Sequence, residues 1–263
     1  MAQRLDDMSK MSRIQYVVYN RGERMLPGIT HSMAEIVRHY SSYKFFHDAI
    51  VSDLERAGEL GKRPVSILDL GFGTGHGCQM LAQIPNSRVV GIDNSYACRR
   101  YARRYYNSRN IDYVIADIPD YLRKMKPFDY VVSRGVIEHV PDGIEETINA
   151  RWTSRLMFDV PYDEPGGINE HHLVSNVTAE SFRDYSNVEI FYEEVGGEIY
   201  TGDPRPEKPN MIMCVSSRET LPPLSSVLQL PVPPWSTSLS MAEMAPQVTW
   251  WHKFIDKIHV PAK

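Results

Sequence analysis

A chain of 263 residues, 42% apolar and 24% charged, has the make-up of an ordinary soluble globular protein. It has room for one α/β domain with decorations or a tail. Its net charge of −4 supplies no global basic field for nucleic acid. Three cysteines, Cys78, Cys98 and Cys214, form no CxxC pair, which speaks against a disulfide framework or a structural zinc site and for a reducing cytoplasm.

The first thirteen residues are polar, with no apolar leader-like stretch. No run approaches the roughly 20 apolar residues needed to span a bilayer. Residues 29–60 carry Met33, Ile36, Val37, Tyr40, Phe45, Ile50 and Leu54 at roughly helical spacing, which predicts one or two helices. VSILDL (65–70) is a short apolar run after Pro64, as in a strand buried on both faces of a parallel sheet. Glycine-rich residues 71–77 then open a helix ending near Pro85.

Strands follow at 88–93, 112–117, 128–133 and 154–160, with helices at about 95–107, 119–124 and 141–149. A polar segment covers 161–177, and TAESFRDY (178–185) reads as a Thr-capped helix. Two more strands, 188–194 and 210–217, have no clear helix between them and suggest a closing antiparallel pair. The alternation predicts a doubly wound, mostly parallel Rossmann-like α/β sheet.

Three stretches are expected: an N-terminal segment at 1–28, the α/β domain at 29–218 and a tail at 219–263. Seven of the eighteen prolines fall in the tail, which reads as an extended linker. A cut after Arg218 is then expected to leave a folded core. Near the end, Trp251, Phe254, Ile255 and Ile258 share one helical face. The Trp250–Ile258 stretch suits a membrane surface, a partner protein or the chain's own domain.

The strongest signal is ILDLGFGTGHG (67–77). Gly71, Gly73 and Gly75, with Phe72 among them, let a ligand lie against backbone. Asp69, two residues before the first glycine, opposes a pyrophosphate and favours a cationic amino acid. The spacing is GxGxG, not the GxGxxG that cups a diphosphate. Asp93, with Asn94 beside it, ends the second predicted strand; it suits a pair of ribose hydroxyls, or a cap for the following helix. Asp117 is placed to accept an adenine amino group with Ile118 against the ring, or to cap its own helix.

DLGFGTG, GIDNS, IADI and FDYVVSRGVIEHV, in that order, resemble the class I S-adenosylmethionine-dependent methyltransferases over residues 30–217. The resemblance implies seven strands with the last reversed, and S-adenosylmethionine surrounded by the Asp69–Gly75 loop, Asp93, Asp117 and Arg134. GERMLPG (22–28), VIEHVPD (136–142) and VPYDE with NEHH (160–172) are similar to methyltransferases encoded with bacterial glycan and lipopolysaccharide genes. The chain departs from them before the fifth strand, where NARWTSR stands in place of the usual KPGG turn.

An oxygen acceptor must lose a proton. His139 is the best placed base, with Glu138 to orient it; both also suit a purely structural role in the loop. Glu164, His171 and His172, with Tyr162 and Asp163, form a second cluster that suits acceptor contact. It also suits a divalent metal, but side chains of adjacent histidines point apart on a strand, so no metal site is assigned. Gly166 and Gly167 suit a lid. Arg99, Arg100, Arg103, Arg104 and Arg109 read as a solvated helix whose tyrosines pack inward rather than as a nucleic-acid patch.

The expected function is O-methylation of a sugar, a glycan or another small hydroxylated acceptor. The rivals are an RNA or protein methyltransferase and a non-catalytic partner subunit. SRGV (133–136) stands where base N-methylation usually needs NPPY, and the intact glycine loop disfavours a dead subunit.

Overall fold

A computed structural model describes residues 11–20, 24–29 and 32–246. The docking stretch Trp250–Ile258 and part of GERMLPG lie outside them. The chain builds α1 (Arg13–Asn20), α2 (Met33–Arg56), β1 (Val65–Leu70), α3 (His76–Leu81), β2 (Ser87–Asp93) and α4 (Tyr96–Tyr105). Then come β3 (Ile111–Ile115), α5 (Ile118–Lys124), β4 (Phe128–Arg134), α6 (Gly143–Ile148), β5 (Trp152–Pro161), β6 (Val188–Glu193), β7 (Ile199–Thr201), β8 (Met211–Ser217) and α7 (Met241–Met244).

The sheet order is β3-β2-β1-β4-β5-β8-β6-β7. Pairing from β3 through β5 is parallel, whereas β8 is antiparallel to both β5 and β6. The expected reversed final strand is therefore present, inserted between β5 and β6. The count of seven is corrected to eight, because β7 pairs antiparallel with β6. At three residues, β7 is too short for side-chain alternation to announce it.

Period-two alternation splits the core between the two faces of the sheet. Ile67, Val132, Met157 and Met213 join Phe45, Phe46 and Ile50 of α2 on one face. Leu68, Val131, Leu156, Phe158 and Ile212 join Leu122 and Phe182 on the other. α2 is one 24-residue helix opened by a capping box: Ser32 Oγ accepts from Glu35 N, and Glu35 Oε2 accepts from Ser32 N. α1 packs Ile14 and Val18 into the same core against α4. Two apolar positions four apart are too brief a pattern to mark α1 in the sequence. The helix expected at 178–185 is a single 3₁₀ turn, Ala179–Phe182.

Deep in the fold, Arg155 of β5 meets Asp53 of α2. Its Nε and Nη2 each donate to the carboxylate at 2.8 Å, and both residues are buried. Arg155 also donates to Ser217 Oγ and to the carbonyl of Pro222.

That last bond changes the expectation for the tail. Leu224 and Val232 are buried in the core, Val232 pairs with Ile199 of β7, and the Glu189 carboxylate accepts from the backbone of Leu224 and Ser225. Trp235 N donates to Ser41 Oγ, and its ring lies 4.5 Å from that of Tyr40. Residues 222–235 are thus docked on the domain. Proline-rich composition reads as a linker because it carries no helical or strand period, yet apolar residues at wide spacing still find a groove. A chain ending at Arg218 is expected to melt well below the full chain, since burying Leu224 and Val232 contributes about 1.5–3 kcal/mol each. A chain ending at Ser238 is expected to keep most of the stability. Calorimetric melting of both truncations checks this.

Candidate active site

In an open α/β sheet, ligands sit beyond the carboxyl ends of the strands where the strand order reverses. Here that point lies between β1 and β4. A cleft of about 380 Å³ opens there, lined by the loops after β1, β2, β3 and β4 and by Arg24, Met25, His39 and Tyr43.

The glycine loop fits the sequence-based reason for it. Gly71 sits at φ +77°, and a Cβ there would meet Val136 at 2.4 Å, so no other residue fits without displacement. Gly73, at φ +51°, faces open space, with nothing nearer than 3.9 Å to such a Cβ. Asp93, at the end of β2, braces this loop: Oδ2 accepts from Gly73 N at 3.0 Å and Oδ1 from Ser95 N at 2.7 Å. Each carboxylate oxygen keeps a second lone pair for a ligand hydroxyl. Burial raises the Asp93 pKa, while those two amide bonds and the charge of Arg24 oppose the rise.

Asp117 plays the alternative role as well, capping α5 through Asp120 N at 3.3 Å while lining the cleft. Among the expected cofactor residues, Gly71, Phe72, Gly73, Asp93, Asn94, Asp117, Ile118 and Arg134 all line the cleft. Asp69 and Gly75 do not. Asp69 is fully buried below the floor, accepting from Tyr43 Oη at 3.2 Å and Cys78 Sγ at 3.1 Å; burial pushes its carboxyl up to about 6. Gly75 instead caps α3, and its carbonyl accepts from Tyr113 Oη.

The residues present fit S-adenosylmethionine. The side-chain-free bend at Gly73 admits a ligand against the backbone, Asp93 offers paired acceptors, and Ile118 supplies an apolar wall. Tyr43 and His39 of α2 and His76 also shape the cleft. His39 and Tyr43 stand outside the apolar helical pattern and nothing in the glycine-rich stretch singles out His76, because what a side chain faces across the fold leaves no local mark in the sequence.

At the cleft wall, Arg134 at the end of β4 lies among three buried acids, Glu138, Asp159 and Glu193. Its guanidinium is 3.5 Å from Glu193 and 3.9 Å from Asp159. Burial pushes Glu138 and Glu193 each up to about 8 and raises Asp159 too. A carboxyl whose folded pKa exceeds its unfolded value binds more protons in the native state, so stability falls as pH rises between the two values. For Glu193 that window runs from about 4.5 to about 8. Relative to the wild type, Glu193→Gln is therefore expected to gain melting temperature progressively from pH 5 to pH 8; a constant difference across that range would refute the assignment.

The expected catalytic residues converge from two loops. A 3₁₀ turn after β4, Ile137–His139, carries Glu138 and His139. The polar segment after β5 folds back on that turn, with Leu173 N at 2.7 Å and Val174 N at 3.1 Å both donating to the Glu138 carbonyl. These bonds hold the end of the segment to the turn; Gly166 and Gly167 lie outside them. His139 Nδ1 lies 3.0 Å from the carbonyl of His171, and its ring meets His172 edge-on, with centroids 4.8 Å apart. His172 Nδ1 pairs with the Glu164 carboxylate. His139 and His171 line the cleft. Adjacent histidines do diverge, but His172 converges on Glu138 and His139, which lie over thirty positions away in the sequence. Among the described residues, one ligand atom from each of these three falls within 4.8 Å of the others.

Along the arginine-rich stretch, Tyr101 and Tyr106 are buried, Arg103 is exposed on α4, and Arg109 is exposed in the turn that follows it. No described helix is long and apolar enough to cross a membrane.

Residues 67–156 match the family model described as "Methyltransferase domain". With the glycine loop, the strand-end acids and the cleft they frame, this makes the chain an S-adenosylmethionine-dependent methyltransferase by class. The chain resembles the plantazolicin methyltransferase BpumL, solved in complex with SAH (14% identity, TM-score 0.52, covering 78% of this chain and 90% of that one). It also resembles the N-terminal domain of EvdMO1, solved in the presence of SAH and D-fucose (16% identity, TM-score 0.51, covering 78% and 95%). At such identities the likeness is one of fold. No curated protein matches the chain.

Proposed function

We propose that this enzyme methylates an oxygen of a sugar, a glycan or another small hydroxylated acceptor of the kind handled by bacterial glycan and lipopolysaccharide methyltransferases. The observation that carries this reading is the placement of His139. Its imidazole lines the cleft together with Gly71 and Gly73, and the His171 carbonyl on Nδ1 fixes a proton there, the tautomer a general base needs. Gly71, Gly73, Asp93, Asp117, Ile118 and Arg134 would hold the cofactor, which when bound supplies a sulfonium methyl to the acceptor oxygen and leaves as a neutral thioether.

The chain's own work is to hold the acceptor in line and take its proton. Glu138, buried behind His139, positions the turn. His171 lines the cleft, and the Glu164–His172 pair packs against the His139 ring. The EvdMO1 domain, solved in the presence of a sugar, accords with this acceptor class.

His139→Ala is expected to leave cofactor affinity unchanged and to slow turnover by about a hundredfold or more. A labelled methyl-donor screen over glycan, RNA and protein fractions supplies the acceptor for that assay. Label entering only RNA or protein would overturn the acceptor class.

A further inference from the structure

We infer that Glu138, His139 and His172 form a binding site for one divalent transition-metal ion at the mouth of the cleft. Three observations meet here. The ligand atoms of these side chains already lie within 4.8 Å of one another. Around an ion with bonds of about 2.0–2.2 Å they would stand roughly 3.4 Å apart, so closure needs a shift of about an ångström.

Next, both imidazoles are oriented alike. The Nδ1 atom of His139 faces the His171 carbonyl, and that of His172 faces the Glu164 carboxylate. Metal-ligating histidines carry this kind of oxygen partner on the nitrogen away from the ion. Ligation is assigned to the Nε2 atoms on that ground; partners that Nε2 holds without the ion, such as the Asn169 amide 3.0 Å from His172 Nε2, would give way to it.

Finally, Glu138 is 3% exposed, and its Oε2 has no hydrogen-bond partner. A buried acceptor without a donor is costly, and a cation satisfies it.

Two imidazoles and one carboxylate suit Zn²⁺, Mn²⁺, Fe²⁺ or Co²⁺ better than Mg²⁺ or Ca²⁺. Three protein ligands leave positions open, and His139 puts them on the cleft side. An acceptor hydroxyl entering there would have its pKa lowered and release its proton to water, so His139 would serve as ligand rather than base. That catalytic part rests on the O-methylation reading; ion binding does not.

The test uses the full chain, tag-free and stripped with a chelator. Titration with Zn²⁺ or Mn²⁺ by calorimetry should show one ion per chain, and Co²⁺ should develop visible absorption. Glu138→Gln and His172→Ala should abolish both signals while keeping adenosylhomocysteine binding, which verifies the fold. Glu164→Gln should weaken the ion about 10- to 100-fold. Failure of the wild type to bind, or equal binding by Glu138→Gln and His172→Ala, overturns the site. If the stripped enzyme methylates a hydroxyl as fast as the loaded one, the catalytic part is overturned and His139 stands as the base. If the ion binds but no hydroxylated acceptor is methylated, the acceptor reading fails and the site stands.

Discussion

Replacing Asp93 by alanine is expected to remove most of the affinity for S-adenosylmethionine. The carboxylate lies in the cleft wall with both oxygens already accepting backbone amides, from Gly73 and Ser95. A ligand diol would add two bonds to a charged acceptor. Hydrogen bonds to charge contribute about 1.5–3 kcal/mol each, so their joint loss amounts to roughly 3–6 kcal/mol. That is on the order of a hundred- to ten-thousandfold in Kd. The loop is affected too: without Asp93 the Gly73 amide loses the acceptor that holds the bend open to the ligand. Asp93→Asn keeps one side-chain acceptor oxygen and should fall between wild type and alanine. Calorimetric titration with adenosylhomocysteine decides. An unchanged Kd in the alanine variant would mean that Asp93 only braces the glycine loop and the turn into α4 through Gly73 and Ser95.

Asp53→Ala is expected to produce the largest loss of stability without touching the cleft. It strands the Arg155 guanidinium, whose residue is wholly buried between α2 and β5. Removing one partner of a buried ion pair costs about 3–5 kcal/mol, because the other charge remains in a medium that solvates it poorly. For a domain of this size that is a fall in Tm of about 6–20 °C. The paired change Asp53→Leu with Arg155→Met should recover part of the loss, since both charges then leave together. Recovery stops short of complete because Ser217 and Pro222 also lose their donor. Below the melting range, adenosylhomocysteine binding by Asp53→Ala should match wild type. A single mutant as stable as the wild type would show that water reaches and solvates Arg155.

The two residues behind these predictions were unequally visible in the sequence. Asp93 announces itself, because a carboxylate at a strand end, a fixed distance after a glycine turn, is a local pattern. Asp53 and Arg155 stand about a hundred residues apart, and each reads singly as a surface charge. The same contrast runs through the site. Gly71, Gly73, Asp117 and Ile118 were placed on the cleft by motif position, and the structure lines the cleft with them. Asp69, chosen by the same motif, faces Tyr43 and Cys78 instead. Motif order locates the residue; the direction of its side chain depends on what packs behind it.

By itself, the sequence determined the strand-and-helix alternation, the antiparallel pairing of its last two expected strands, the glycine bend and the acids at the strand tips. These follow from periodicity and backbone sterics acting over a few neighbouring residues. Tertiary structure alone decided the rest: the eighth strand, the docking of residues 222–235, the Asp53–Arg155 pair, and the meeting of His172 with Glu138 and His139. Each of these joins segments distant in the chain through burial and charge pairing. Such contacts form only when the fold brings the segments together, and no local pattern records them.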